Sequence, residues 1–215
     1  MEILIFCLIA LLSYLLGSLN FGVILSKAKG EDVREKGSGN AGTTNMLRNY
    51  GKGMAALTII GDMAKVAVAI LISVYTCKRL DIINDTQSIP MEMLVKCFSG
   101  FFCVLGHIFP VFFKFKGGKG VATSGGMVFM IDWRIGLILL GIFIIVVLIT
   151  KYVSLGSLIM AALYPILIYL LHRDILAALI SLIFTAIVFI AHRENIKKLI
   201  NHNENKISLK KKESE

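Results

Sequence analysis

Six stretches of the 215-residue chain are apolar almost without a break: 3–25, 54–75, 93–113, 135–150, 155–171 and 175–191. A bilayer core about 30 Å thick needs about 20 helical residues, and each stretch meets that length or nearly does. A seventh stretch, 121–131, is too short alone. It joins the count if the backbone from Thr123 to Gly126 unwinds or tilts where protein covers it.

The positions of the charges favour seven spans over six. With seven, and the amino end outside, 17 Lys and Arg residues fall in internal segments and four in external ones, while Lys65 and Lys96 lie within spans. That is the bias expected of cytoplasmic loops. Dropping 121–131 would put the Lys114–Lys119 cluster and the basic tail on opposite faces. The fold expected is therefore all-α: a polytopic integral membrane bundle of seven transmembrane helices, amino end outside and carboxy end cytoplasmic. Met1-Glu2 offers no basic stretch ahead of the first apolar block, which reads as a retained span rather than a signal peptide.

Composition agrees. Hydrophobic residues make up 56% of the chain and charged ones 17%, with a mean hydropathy of +0.78. A globule this small cannot hide so much apolar surface from water. Four scattered cysteines (Cys7, Cys77, Cys97, Cys103) exclude a disulfide scaffold. The net charge of +9 lies between apolar blocks, so it fits a membrane face that attracts anions rather than a nucleic-acid surface. The sequon-like Asn84-Asp85-Thr86 reads as a chance match.

Three internal segments carry unusual chemistry. Gly37-Ser38-Gly39-Asn40-Ala41-Gly42-Thr43-Thr44-Asn45, followed by Arg48, formally contains GxGxxG but lacks the strand a dinucleotide site needs. Its small residues still let backbone amides approach an oxyanion. Arg48 shares a face with Asn45 if a helix starts near Thr44. The bland alternative is a flexible loop with a helix cap. In the second segment, Gly106-His107 precedes Lys114-Phe115-Lys116-Gly117-Gly118-Lys119-Gly120-Val121-Ala122-Thr123. Phe113 stands where a P-loop needs its first glycine, which excludes a nucleotide triphosphatase. Exposed amides, the Lys119 charge and a following helix N-terminus nonetheless suit phosphate. A plain positive-inside loop explains the lysines but not the glycines. The third segment, His192-Arg193-Glu194-Asn195-Ile196-Lys197-Lys198-Leu199, puts His192 and Asn195 on one helical face. The charged residues after Arg193 read as a helix extension fraying into solvent.

Within the spans, Asp62 and Lys65 stand three residues apart, roughly 13–18 Å along the helix from Gly53. Charges at that depth need a partner or a cavity, and pairing with each other is the reading favoured. Together the segments amount to a cytosol-facing phosphate site in a membrane protein. A transporter would predict a matching basic cluster outside, which is absent. A non-catalytic scaffold predicts that Ser38, Arg48 and Asn195 tolerate replacement.

GSGNAGTTN with Arg48, GHIFPVFFKFKGGKGVAT and HRENIKKL resemble the three motifs of the bacterial membrane acyl-phosphate:glycerol-3-phosphate acyltransferase family. Gly17-Ser18 with Phe21-Gly22, Asp62 with Lys65, and the 151–157 stretch containing Ser157 look like further features of it. The chain departs from the usual pattern at Asn20 (commonly Pro), Thr43 (commonly Ala), Val66 (commonly Gly) and Lys198 (commonly Arg). The resemblance implies transfer of a fatty acyl group from acyl phosphate to the sn-1 hydroxyl of glycerol 3-phosphate. It also implies a bacterial inner-membrane location with the active site facing the cytoplasm, and no cofactor or metal. Residues 1–200 would form one transmembrane catalytic domain and 201–215 a basic cytoplasmic tail. The resemblance places Ser38 and Arg48 in the catalytic motif and matches His192 and Asn195 to the polar residues of the third; Asn40 joins these catalytic candidates, with Ser38, as a donor to developing charge. Gly39, Thr44, Asn45, Gly117, Gly118, Lys119, Gly120, Thr123 and Ser157 would bind substrate phosphate, supported by Asp62, Lys65, His107 and Glu194. His192, His107 or a substrate phosphate oxygen would take the hydroxyl proton. The last is favoured because no His–carboxylate dyad is visible by spacing. Partners would be the two phosphorylated substrates and the lipid bilayer, with no nucleic acid and the oligomeric state open.

Overall fold

The structure is a computed structural model that describes residues 1–83 and 90–207. The Asn84-Asp85-Thr86 sequon and residues 208–215 of the tail lie outside the described residues. Among those described, regular structure is entirely helical: α1 (Glu2–Gly17), α2 (Phe21–Lys27), α3 (Thr43–Arg79), α4 (Pro90–Ile108), α5 (Val121–Ile131), α6 (Trp133–Thr150), α7 (Val153–His172), α8 (Ile175–Ala191) and α9 (Arg193–Ile200). The chain divides into two units, Met1–Gly136 and Leu137–Glu215.

Helix α3, residues 91–113 including the turn after α4, α6 and α7 are each long and apolar enough to cross a membrane. Two further spans arise if α1 with α2, bent by 41°, and α8 with α9, bent by 64°, each count as one. Of the two alternatives expected from Thr123 to Gly126, unwinding or tilting, unwinding does not occur: α5 is helical throughout its 11 residues. Small residues there let α5 press against α3, where Gly126 lies beside Met63 and Val66.

In the first unit, α1 packs on α4, and α3 packs on α4 and α5. The α1–α4 crossing depends on glycine. A Cβ at Gly17 would strike the Cys103 carbonyl, and one at Gly106 would strike the Tyr14 carbonyl, so both backbones approach at van der Waals distance. Further from the end of α1, Ser13 Oγ lies 2.9 Å from Ser99 Oγ of α4. Ser73 Oγ of α3 lies 3.0 Å from the same atom. All three serines are buried, so the hydroxyls satisfy one another away from water.

Two breaks in the helices position the polar segments. The first apolar stretch, expected as one span, is interrupted at residues 18–20. There Asn20 caps α2 by accepting from Val23 N (3.4 Å). The second break is at Gly51, with φ 81° and ψ −178° inside α3, a conformation open to glycine and costly to others. It separates the short piece bearing Arg48 from the long apolar piece.

In the second unit, α7 and α8 pack together and α9 contacts both. Asp174 caps α8 by accepting from Leu176 N and Ala177 N, and Thr185 Oγ1 donates to Ala161 O (2.6 Å). The helix expected after Arg193 is present as α9 and ends at Ile200, and the last residues of that expected tail, 208–215, lie outside the described residues. Past α9 the chain turns back, and Ile207 N donates to Lys151 O (2.8 Å).

Gly17→Val and Gly106→Val are expected to destabilise the protein by about 1–3 kcal/mol or more each, because backbone rather than a flexible side chain occupies the space. Thermal unfolding of the purified protein checks this, and unchanged melting would contradict the close crossing.

Candidate active site

The loop before α3 is organised by Asn45. Its Oδ1 accepts from Ser38 N (3.0 Å) and from Asn49 Nδ2 (3.0 Å). Its Nδ2 lies within 3.0 Å of the carbonyls of Val33, Lys36 and Asn40. One buried amide thus fixes the path of residues 33–40. Asn40 Oδ1 accepts from Gly42 N (2.8 Å), leaving its amide hydrogens as the donors. Gly37 (φ 58°) and Gly39 (φ 71°) adopt left-handed conformations, and a Cβ at Gly37 would lie 2.5 Å from Asn45 Oδ1. Thr44 and Arg48 follow in the first turns of α3, so a helix does start where the spacing of Asn45 and Arg48 required one. The Asn45 side chain is thus engaged by the loop itself.

The glycine–lysine turn joins α4 to α5. Gly117 N donates to Ile108 O (3.2 Å) and Gly118 N to His107 O (3.2 Å). These two amides therefore satisfy carbonyls left open at the end of α4. A Cβ at Gly117 would strike the His107 carbonyl, and one at Gly118 would strike the His107 ring. The donors that remain to an anion come from the first turn of α5, which follows Lys119 and the left-handed Gly120 (φ 78°). Thr123, in that turn, is buried and its Oγ1 has no hydrogen-bond partner.

Beneath this turn lies a buried ionic cluster. Lys65 Nζ donates to Asp62 Oδ1 (2.8 Å) and to Leu19 O (3.0 Å), and lies 2.9 Å from His107 Nδ1. Asp62, Lys65 and His107 are only 1%, 4% and 2% exposed. An ammonium has three donors and no acceptor, so the donor count assigns Nδ1 as the lone-pair nitrogen and places the ring proton on Nε2. Asp62 Oδ1 stands 3.4 Å from the same Nδ1. The sequence pairing of Asp62 with Lys65 is present. The break after α1 completes the set, since it frees the Leu19 carbonyl for the third hydrogen bond.

In the second unit, His192 is buried, and its Nδ1 lies 2.8 Å from Val188 O. A carbonyl only accepts, so in the neutral ring the proton sits on Nδ1 and Nε2 carries the lone pair. Asn195 Nδ2 donates to Glu204 Oε2 (2.7 Å). Glu194 pairs with Lys197 (3.3 Å) on the exposed side of α9, consistent with a structural part. Ser157 Oγ donates to Val153 O (2.9 Å).

Sequence reasoning missed Arg34 and Asp32. Arg34 Nη1 donates to Phe113 O (2.9 Å) and Lys116 O (3.0 Å). Its Nη2 donates to Asp32 Oδ2 (2.6 Å). That hydrogen-bonded guanidinium holds the Asp32 carboxyl below the usual carboxylate range. A D-x-R pair after a span was the available signal.

Removing one member of the buried cluster leaves the others uncompensated. Lys65→Met is expected to destabilise by about 3–5 kcal/mol. Asp62→Leu/Lys65→Met should cost less than the sum of the single changes, and a double-mutant cycle by unfolding reads the coupling. Additive losses would contradict the pairing.

The glycerol-3-phosphate acyltransferase family model matches residues 7–202. A glycerol-3-phosphate acyltransferase of Clostridioides difficile is 40% identical over 98% of this chain and 100% of its own length. One of Bartonella henselae is 40% identical over 93% of this chain and 90% of its own. The fold is similar to the crystal structure of PlsY (YgiH), an integral membrane glycerol 3-phosphate acyltransferase. Its glycerol 3-phosphate form gives a TM-score of 0.82 at 32% identity, covering 94% of this chain and 96% of that one. Its lysophosphatidic acid form gives 0.80, covering 95% and 96%. Matched along nearly its whole length in sequence and in fold, the chain belongs to the glycerol-3-phosphate acyltransferase family.

Proposed function

We propose that this protein transfers a fatty acyl group from acyl phosphate to the sn-1 hydroxyl of glycerol 3-phosphate, releasing lysophosphatidate and inorganic phosphate. The observation that carries the reading is the family match joined to the intact polar set: Ser38, Arg48, Lys119, His192 and Asn195 all stand in the matched region. The solved relative whose fold this chain shares is described in glycerol 3-phosphate and lysophosphatidic acid forms.

Acyl phosphate is a mixed anhydride, so no covalent enzyme intermediate is required. The acceptor oxygen attacks the acyl carbon, the carbon–oxygen bond to phosphate breaks, and phosphate leaves with that electron pair. The hydroxyl proton passes to a phosphate oxygen of the substrate. His192, one ring nitrogen of which is held by the Val188 carbonyl, keeps the catalytic role that its motif implies. Arg48, Lys119 and the first-turn amides of α5 offset the repulsion between two phosphate groups. Ser38 and Asn40 donate to the oxygen where charge develops. His107 serves as support, because Lys65 occupies its Nδ1.

In this reading α5 completes seven spans. The amino end is outside, and the polar segments face the cytoplasm at the inner membrane of a bacterium. Residues 1–200 act as one catalytic domain with a basic tail behind it.

Purified protein given acyl phosphate and labelled glycerol 3-phosphate is expected to form lysophosphatidate without acyl-CoA, acyl carrier protein or metal. Ser38→Ala should lower kcat by roughly 10²–10³-fold, the cost of losing one donor to a developing oxyanion. Absence of product with the wild type would overturn the reading, and full turnover by Ser38→Ala would remove Ser38 from the chemistry.

A further inference from the structure

Between α4 and α5 the chain takes an expensive path. Lys114 (φ 56°) and Phe115 (φ 58°) are consecutive non-glycine residues in the left-handed region, a conformation that persists only where surrounding contacts over-determine it. The carbonyls that bracket this strained pair, Phe113 O and Lys116 O, are the two held by Arg34 Nη1 at 2.9 and 3.0 Å. The guanidinium also lies 5.8 Å from the centroid of the Phe113 ring. Its other edge is fixed by Asp32, through Nε to Oδ1 (2.9 Å) and Nη2 to Oδ2 (2.6 Å).

Arg34 adjoins Val33, whose carbonyl accepts from Asn45 Nδ2 (2.9 Å) and whose N–H donates to Ser26 Oγ (3.1 Å). The same Asn45 holds Ser38 N. One guanidinium therefore ties the loop carrying Ser38 to the turn that leads into Lys119. A planar fork with donors on two edges can do this, whereas an ammonium cannot span both.

We propose that Arg34, braced by Asp32, is a positioning residue: it clasps the Ser38 loop to the glycine–lysine turn and so sets where the substrate phosphates are held. The proposal rests on the acyl-transfer reading of the same site. Arg34 touches no reacting atom. Its contribution is to keep a strained turn in the one arrangement that presents Lys119 and the first turn of α5.

The test uses the full-length purified protein with Arg34→Gln, Arg34→Lys and Asp32→Asn. Arg34→Gln is expected to speed amide exchange in residues 111–118 by about tenfold or more, as loss of charged hydrogen bonds implies. It should leave exchange across the α1–α4 crossing unchanged. The same variant should raise KM for at least one phosphorylated substrate by about tenfold, with kcat within about twofold. Arg34→Lys and Asp32→Asn should fall between it and the wild type. Unchanged exchange in 111–118, acceleration spread equally to the α1–α4 crossing, or unchanged KM for both substrates would each overturn the clasp. If the wild type shows no acyl transfer, the acyl-transfer reading fails separately. Calorimetric binding of glycerol 3-phosphate and inorganic phosphate then replaces KM, and affinities unchanged by Arg34→Gln would overturn the clasp.

Discussion

A charge within a chain this apolar has to find its partners inside the protein, because hydrocarbon offers none. The Lys65 ammonium meets that requirement with three acceptors from three parts of the chain: Asp62 on its own helix, the Leu19 carbonyl released by the break after α1, and His107 near the end of α4. No one of these is dispensable without stranding the rest. The His107 ring in turn lies where a side chain on residue 118 would be, so the glycine–lysine turn rests directly on the cluster. The polar turn is placed from below by a buried ion pair.

The loops over the cluster are held by the same economy of donors and acceptors. Asn45 closes one, the α4 carbonyls anchor the other, and Arg34 bridges them. Preorganisation of this kind suits the acyl transfer proposed above, which would bring together two phosphate groups. Cations and amides fixed before the substrates arrive would need no reorganisation as charge moves from hydroxyl to leaving phosphate. Several glycines act through close approach rather than flexibility. Gly17, Gly106, Gly117 and Gly118 each stand where another atom occupies the space of a Cβ.

Much of this architecture was legible in the sequence. Residues 121–131 and 175–191 are helices at the expected bounds, and the start of α3 agrees with the face shared by Asn45 and Arg48. The breaks were not legible. A helix interrupted at residues 18–20 reads as a continuous apolar run, and its value lies in the carbonyl it gives to a lysine 46 residues away. Unwinding of α5, one of the two alternatives expected, does not occur, and its small residues serve packing against α3. Asn45 and the amides of Gly117 and Gly118 carry the composition of a phosphate site, yet they are committed to holding their own loops. Composition alone cannot separate a donor offered to a ligand from one spent on the chain. Arg34 was missed for the converse reason: its partners are backbone carbonyls 79 and 82 residues away, which no side-chain pattern reveals.

The proposed arrangement places every polar segment on the cytoplasmic side, with 17 Lys and Arg residues inside against four outside. Single reporter cysteines at positions 36, 116 and 197, with one at 173 as the external reference, measure that claim most directly. Each would be probed by a membrane-impermeant thiol reagent in right-side-out and inverted vesicles. The expected result is that 36, 116 and 197 react together only in inverted vesicles and 173 only in right-side-out ones. Labelling of 116 and 197 from opposite sides would contradict the account.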